Sequence, residues 1–121
     1  MSVDAYQRAR KVAEPPRATE VRLVSEITRE MLSARDAGAS GAALMPVLHR
    51  NRELWSVFAT HCACPGNQLP APLRASLISI ALWVDRYTSG VVAGRDSIDP
   101  LLAVNRSLIE GLAMQTRRPA A

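Results

Sequence analysis

The sequence predicts an all-α protein, a compact bundle of about five helices with short loops, built as one domain over residues 1–121. Three observations predict it. Helix-breaking residues fall in discrete clusters: Pro15-Pro16, Gly38 to Gly41, Pro65-Gly66-Asn67, Gly94 and Asp99-Pro100. Between the clusters, apolar residues return every three or four positions, the spacing of one helix face, and no run alternates as a strand would. Hydrophobic residues make up 48% of the chain and aromatics only 4%, so aliphatic packing must carry the core. A chain of this length can bury such a core without staples.

The first segment, about Asp4 to Glu14, is short and places Tyr6, Ala9, Val12 and Ala13 on one face. A helix this short is marginal alone and must dock on something. The double proline ends it. The second segment runs from about Arg17 to Ala37, with Pro16 suited to its first turn and Gly38 to its stop. Its stripe is Leu23, Ile27 and Met31, widened by Val24 and Leu32. The third segment reaches Cys62. Ser40 can cap its start, and Pro46 either sits in its first turn or breaks a short preliminary turn. Leu44, Leu48, Asn51, Trp55, Phe58 and Cys62 form its stripe, with Asn51 the polar intruder.

The fourth segment, about Pro72 to Ala93, carries Leu73, Leu77, Ile80, Val84, Tyr87 and Val91 on one face. Ile78 and Leu82 extend the apolar surface around most of the circumference, which marks a helix that is central or covered by a partner. The fifth segment starts with Asp99 as N-cap and Pro100 at the first helical position. Leu101, Asn105, Leu108 and Leu112 form its stripe, beside Leu102 and Ile109. Residues 115–121 read as a frayed tail.

Charge narrows the function classes without selecting one. Net charge is +4, and every basic residue except Lys11 and the two histidines is an arginine. The arginines are interleaved with acids, as in Arg22/Glu26, Arg29/Glu30 and Asp85/Arg86, which reads as solvated helix surface. Single-stranded RNA recognition uses aromatic platforms that one Phe and two Tyr can hardly build. No apolar run approaches the ~20 residues that span a bilayer, and Met1 to Arg8 lacks the apolar core of a signal peptide. A cytoplasmic chain with reduced thiols is the expectation.

His61-Cys62-Ala63-Cys64, with His49 upstream, has spacing too tight for a zinc pair and lacks a second pair, so no metal is expected. The chain shows no phosphate loop or nucleophile elbow, so neither catalysis nor a cofactor is expected. Asn51 and Asn105 interrupt apolar stripes. Each either satisfies its amide inside the core or lines a groove and pairs with a partner's backbone. The adjoining Arg52 and Arg106 would then grip a partner's carboxylates. Asn51-Arg52-Glu53-Leu54 and Asn105-Arg106-Ser107-Leu108 share an Asn-Arg-x-Leu pattern, which chance explains as readily as design. Trp55 and Trp83 are candidate hot spots, Trp83 the better because it lies off its helix's main stripe. Leu82 and Tyr6 complete the candidate partner-binding set.

Several of these pieces together resemble the FlaF family of flagellar biosynthesis regulators. The resemblance rests on Ala5-Tyr6-Gln7-Arg8-Ala9, Pro16-Arg17-Ala18-Thr19-Glu20, Asn51-Arg52-Glu53-Leu54-Trp55 and Cys62-Ala63-Cys64-Pro65-Gly66-Asn67-Gln68-Leu69-Pro70. It continues through Leu73-Arg74-Ala75, Ser79-Ile80-Ala81-Leu82-Trp83-Val84 and Val104-Asn105-Arg106-Ser107-Leu108. Pro15 and Cys64 depart from the pattern. The resemblance implies a non-enzymatic role in flagellin synthesis and export alongside a second regulator, FlbT. It implies a cytoplasmic chaperone for the aggregation-prone terminal helices of flagellin, with regulation of the flagellin transcript as the alternative. The oligomeric state stays open.

Overall fold

The computed structural model describes residues 16–117. Four helices make it up: α1 (Pro16–Asp36), α2 (Met45–Ala63), α3 (Ala71–Val92) and α4 (Asp99–Arg117). A short 3-10 turn, Gly41–Leu44, precedes α2. No strand occurs among the described residues. The helix expected over Asp4 to Glu14 lies outside them, as do residues 118–121 of the expected tail; α4 itself continues through Arg117.

Two glycine stops set the geometry of the turns. After α1, the Ala39 amide reaches the Ala34 carbonyl (3.0 Å) and the Gly38 amide reaches that of Arg35 (2.9 Å). After α3, Arg95 reaches Gly90 (3.0 Å) and Gly94 reaches Val91 (3.0 Å). Both are Schellman motifs, and both need a left-handed residue, supplied by Gly38 at φ +84° and Gly94 at φ +80°. A Cβ on Gly94 would meet nothing within 4 Å, so the cost of Gly94→Ala is purely conformational. It should destabilise the protein by about 1 kcal/mol. Urea denaturation checks this as a lower midpoint at unchanged slope.

Two capping expectations are corrected. Ser40 precedes the 3-10 turn in extended backbone but makes no side-chain capping bond, and Pro46 lies in the first turn of α2. Asp99 is not the cap of α4 but a residue of its first turn. The Ile98 carbonyl receives the Leu102 amide (3.2 Å), and the Asp99 carboxylate accepts instead from Arg35 Nη1 (3.1 Å). Asp99 and Asp36 both bond the Arg35 guanidinium and raise its pKa further above the ordinary value.

Cross-links between helices give the topology. Arg35 meets Asp99, and Thr28 meets Asn105, so α1 and α4 are antiparallel. Arg50 Nη1 donates to Glu30, linking α2 to α1, and Arg52 donates to α3 at the Asp85 carbonyl (2.7 Å) and Ser89 Oγ (2.9 Å). The chain therefore runs up, down, up and down. Packing is extensive between α2 and α3 and between α1 and α4, and smaller between α1 and α2. The fourth seam, between α3 and α4, is barely in contact.

The core joins all four helices. The stripe read on α2 is buried as expected, from Leu48 through Asn51, Trp55 and Phe58 to Cys62. On α1 the buried face is Val24, Ile27, Thr28 and Met31, while Leu23 is 39% exposed. The face is rotated from the expected one because Thr28, not Leu23, turns toward Asn105. The α3 face buries Leu77, Ala81, Val84, Thr88, Gly90 and Val91, leaving Leu73 and Ile80 half-buried at the open seam and Tyr87 half-buried beside the turn to α4.

Candidate functional site

Two features stand out, a polar knot inside the bundle and an apolar cleft on its open side. The knot forms because asparagines on α2 and α4 meet at the same level. Asn105 Nδ2 donates to Asn51 Oδ1 (2.8 Å) and Thr28 Oγ1 (3.1 Å), and lies 3.6 Å from Met31 Sδ. Trp55 Nε1 donates to Asn105 Oδ1 (2.9 Å). Thr28 Oγ1 donates its own hydrogen bond to the Val24 carbonyl (2.6 Å). Asn105 is thus fully used, as a buried amide must be. Asn51 Nδ2 has no partner and is the one orphan of the knot.

The repeated Asn-Arg-x-Leu pattern therefore has a physical meaning: its two asparagines bind each other. The arginines that follow them diverge. Arg52 is committed to α3, with Nε 3.0 Å from Asp85 Oδ1, an ion-pair contact without an aligned hydrogen bond. Arg106 is exposed.

The cleft occupies the seam that α3 and α4 leave open, with a volume of about 420 Å³. Its α3 wall is Leu73, Leu77 and Ile80, and Leu69 stands at one end. The α4 wall carries Val104, Leu108 and Leu112 at depth, with Ala103, Ser107 and Gly111 toward solvent. Trp55 reaches it from α2. Ala103, Ser107 and Gly111 recur every four residues, so they form one low ridge along α4. All three are exposed. An opposing helix can approach such a ridge closely, since nothing longer than a hydroxymethyl group stands on it.

Trp83 lies three residues beyond Ile80 on α3, half-buried, with its ring stacked on Tyr87 at a centroid distance of 4.8 Å. Tyr87 in turn donates its hydroxyl to the Ser97 carbonyl (2.7 Å), which ties the α3–α4 turn. Burial, with lesser contributions from Asp96 and Asp99, raises the Tyr87 pKa, so the phenol keeps its proton and the bond at physiological pH.

The remaining candidates are dispersed. Asn51 and Asn105 are 0% exposed and Trp55 is 1% exposed, so these side chains face one another inside the core and not a visiting backbone. The Arg52 guanidinium is held against α3 and is not available as the carboxylate grip expected from sequence. Leu82, 57% exposed, is the largest departure from the expectation that α3 is covered on most sides. Tyr6 lies outside the described residues. Sequence reading missed the α4 ridge, although the signal was present as small residues at 103, 107 and 111. Cys62 is buried while Cys64 is exposed and donates to the Thr60 carbonyl (3.2 Å), and no disulfide joins them. Among the described residues no group of three His, Cys, Asp or Glu side chains converges.

The described residues form a four-helix bundle with an Asn105 hub at its centre and one open apolar seam between α3 and α4. The match of flagellar protein FlaF spans residues 2–112, and the chain belongs to this family. Comparisons with curated proteins and with solved structures find no match. Among the described residues no helix is long and apolar enough to cross a membrane.

Proposed function

We propose that this flagellar protein is a cytoplasmic secretion chaperone that binds flagellin and promotes its synthesis and export, with the α3–α4 cleft as the binding surface. The observation that carries this reading is the open apolar seam, where three aliphatic side chains of α3 face a ridge of small residues on α4. An amphipathic helix laid into such a groove places anchors at i, i+3 or i+4, and i+7. The terminal helices of flagellin have that character. The exposed Arg106 and Glu110 lie on the solvent side of the ridge and are positioned to choose register by charge. FlbT is the natural second partner, acting on the same client.

Calorimetric titration of full-length flagellin, and of flagellin lacking its terminal helical regions, tests the reading at two salt concentrations. The expected result is a one-to-one complex with a strongly negative heat-capacity change, abolished by the truncation. Binding that survives truncation moves the client contact elsewhere. No flagellin binding, with steeply salt-dependent binding of the flagellin transcript instead, supports the post-transcriptional alternative.

A further inference from the structure

We infer that two copies of this chain pair through the α3–α4 cleft, α4 against α4 in antiparallel orientation about a two-fold axis. The charges beside the cleft argue for a second copy as its occupant. Arg106 and Glu110 stand one turn apart on α4, both exposed, on the flank of the ridge at 103, 107 and 111 that faces away from α3. They are opposite in sign, yet among the described residues neither has an ion pair. Within one helix, an arginine four residues before a glutamate is the poorer order for pairing. Across a two-fold interface each residue meets the other's counterpart, so an unpaired Arg and Glu on one strip make that strip complementary to itself.

The spacing sets the register. With the two-fold axis level with Leu108, midway between the two charges, Arg106 stands opposite Glu110 of the second copy, and Glu110 opposite Arg106 of the second copy. Shifting one helix by a turn in either direction sets arginine against arginine or glutamate against glutamate. In the same register Ser107 falls between Ser107 and Gly111 of the second copy, about 3 Å from each along the axis. The two low ridges therefore interlock, and the helices can approach to the short end of the usual packing distance. A two-fold perpendicular to α4 keeps like flanks together, so the charged flanks meet each other and the cleft flanks meet each other. Helix α3 and its copy then stand on the same side, and Leu73, Ile80 and Val104, half-buried in the single chain, wall a second four-helix core. Burial of these aliphatic side chains drives the pairing, and the ion pairs choose its register. The pairing covers the surface proposed for flagellin, so a client helix and a second copy exclude each other. That exclusion rests on the flagellin reading above; the pairing does not.

The test is a charge swap read by sedimentation velocity of the full chain, from micromolar to hundreds of micromolar. The wild type should pass from monomer to dimer as concentration rises. Arg106→Glu and Glu110→Arg should each raise the dimer dissociation constant at least tenfold, because each sets like charges against each other across the axis. Both positions are exposed, so circular dichroism should show both variants folded as the wild type. An equimolar mixture of the two variants should recover the dimer, since each then meets its opposite. A wild type that stays monomeric throughout overturns the pairing. So does a dimer that neither substitution weakens, or a mixture that recovers nothing. Added peptide of the flagellin terminal helix should convert the wild-type dimer into one-to-one complexes. A dimer that takes up the peptide without dissociating upholds the pairing and removes the flagellin reading of the cleft.

Discussion

Asn105→Ala is expected to lower the melting temperature by roughly 10–20 °C. The substitution removes the hub of the buried knot and leaves two groups without partners, Trp55 Nε1 and Asn51 Oδ1. A buried polar group so abandoned costs about 1–3 kcal/mol, and the loss of side-chain volume at a 0% exposed position adds a cavity. A total of about 3 kcal/mol, at several degrees per kcal/mol for a domain near this size, gives the stated shift. Asn51→Ala should cost distinctly less. It removes the orphaned Asn51 amide, and Asn105 Nδ2 keeps Thr28 Oγ1 at 3.1 Å. Thermal and urea denaturation of both variants measure the order. Equal losses, or the reverse order, would show that Asn105 is not the hub.

The second large effect is on binding. On the proposed reading of the cleft as the flagellin site, Ser107→Trp should weaken association with flagellin by tenfold or more, equivalent to about 1.4 kcal/mol, while leaving the fold intact. Ser107 is exposed on the α4 ridge and opens onto the cleft, so an indole there fills the space a client helix needs. Serine and tryptophan have similar helix propensity, so α4 itself should not suffer. The new ring can pack on Val104 beside it and on Ile80 across the seam, and the melting temperature should hold or rise. Ser107→Ala should bind as the wild type does. Calorimetry reads the affinity and circular dichroism the fold. Undiminished binding by a folded Ser107→Trp protein would place the client on another surface.

These two substitutions separate the roles of the α4 faces. One face meets α1 and α2 through Asn105 and holds the bundle together. The other, with Ala103, Ser107 and Gly111, borders the open seam. The knot supplies a specific register for three helices, so the fourth seam can stay open without the bundle slipping.

Periodicity and punctuation were enough to determine the helices and most of the core. The first three described helices end two residues before a break, because glycines such as Gly38 and Gly94 take the left-handed turn and prolines sit in the first turns of the helices that follow. The α2 stripe was legible for the same reason: five positions at three- and four-residue spacing have one way to share a face. Tertiary structure decided what periodicity leaves open. It chose Val24 over Leu23 for the α1 interior, since the exact rotation of a helix is set by the side chains it meets. It turned Asn51 and Asn105 toward each other, a pairing between residues 54 apart that no local pattern contains. It sent Arg52 onto α3 and left Arg106 outside. The cleft was legible only by halves, as an over-apolar α3 that needs cover. Its other wall is made of small residues, which bury little surface and so leave no hydrophobic signal until a second helix stands opposite them.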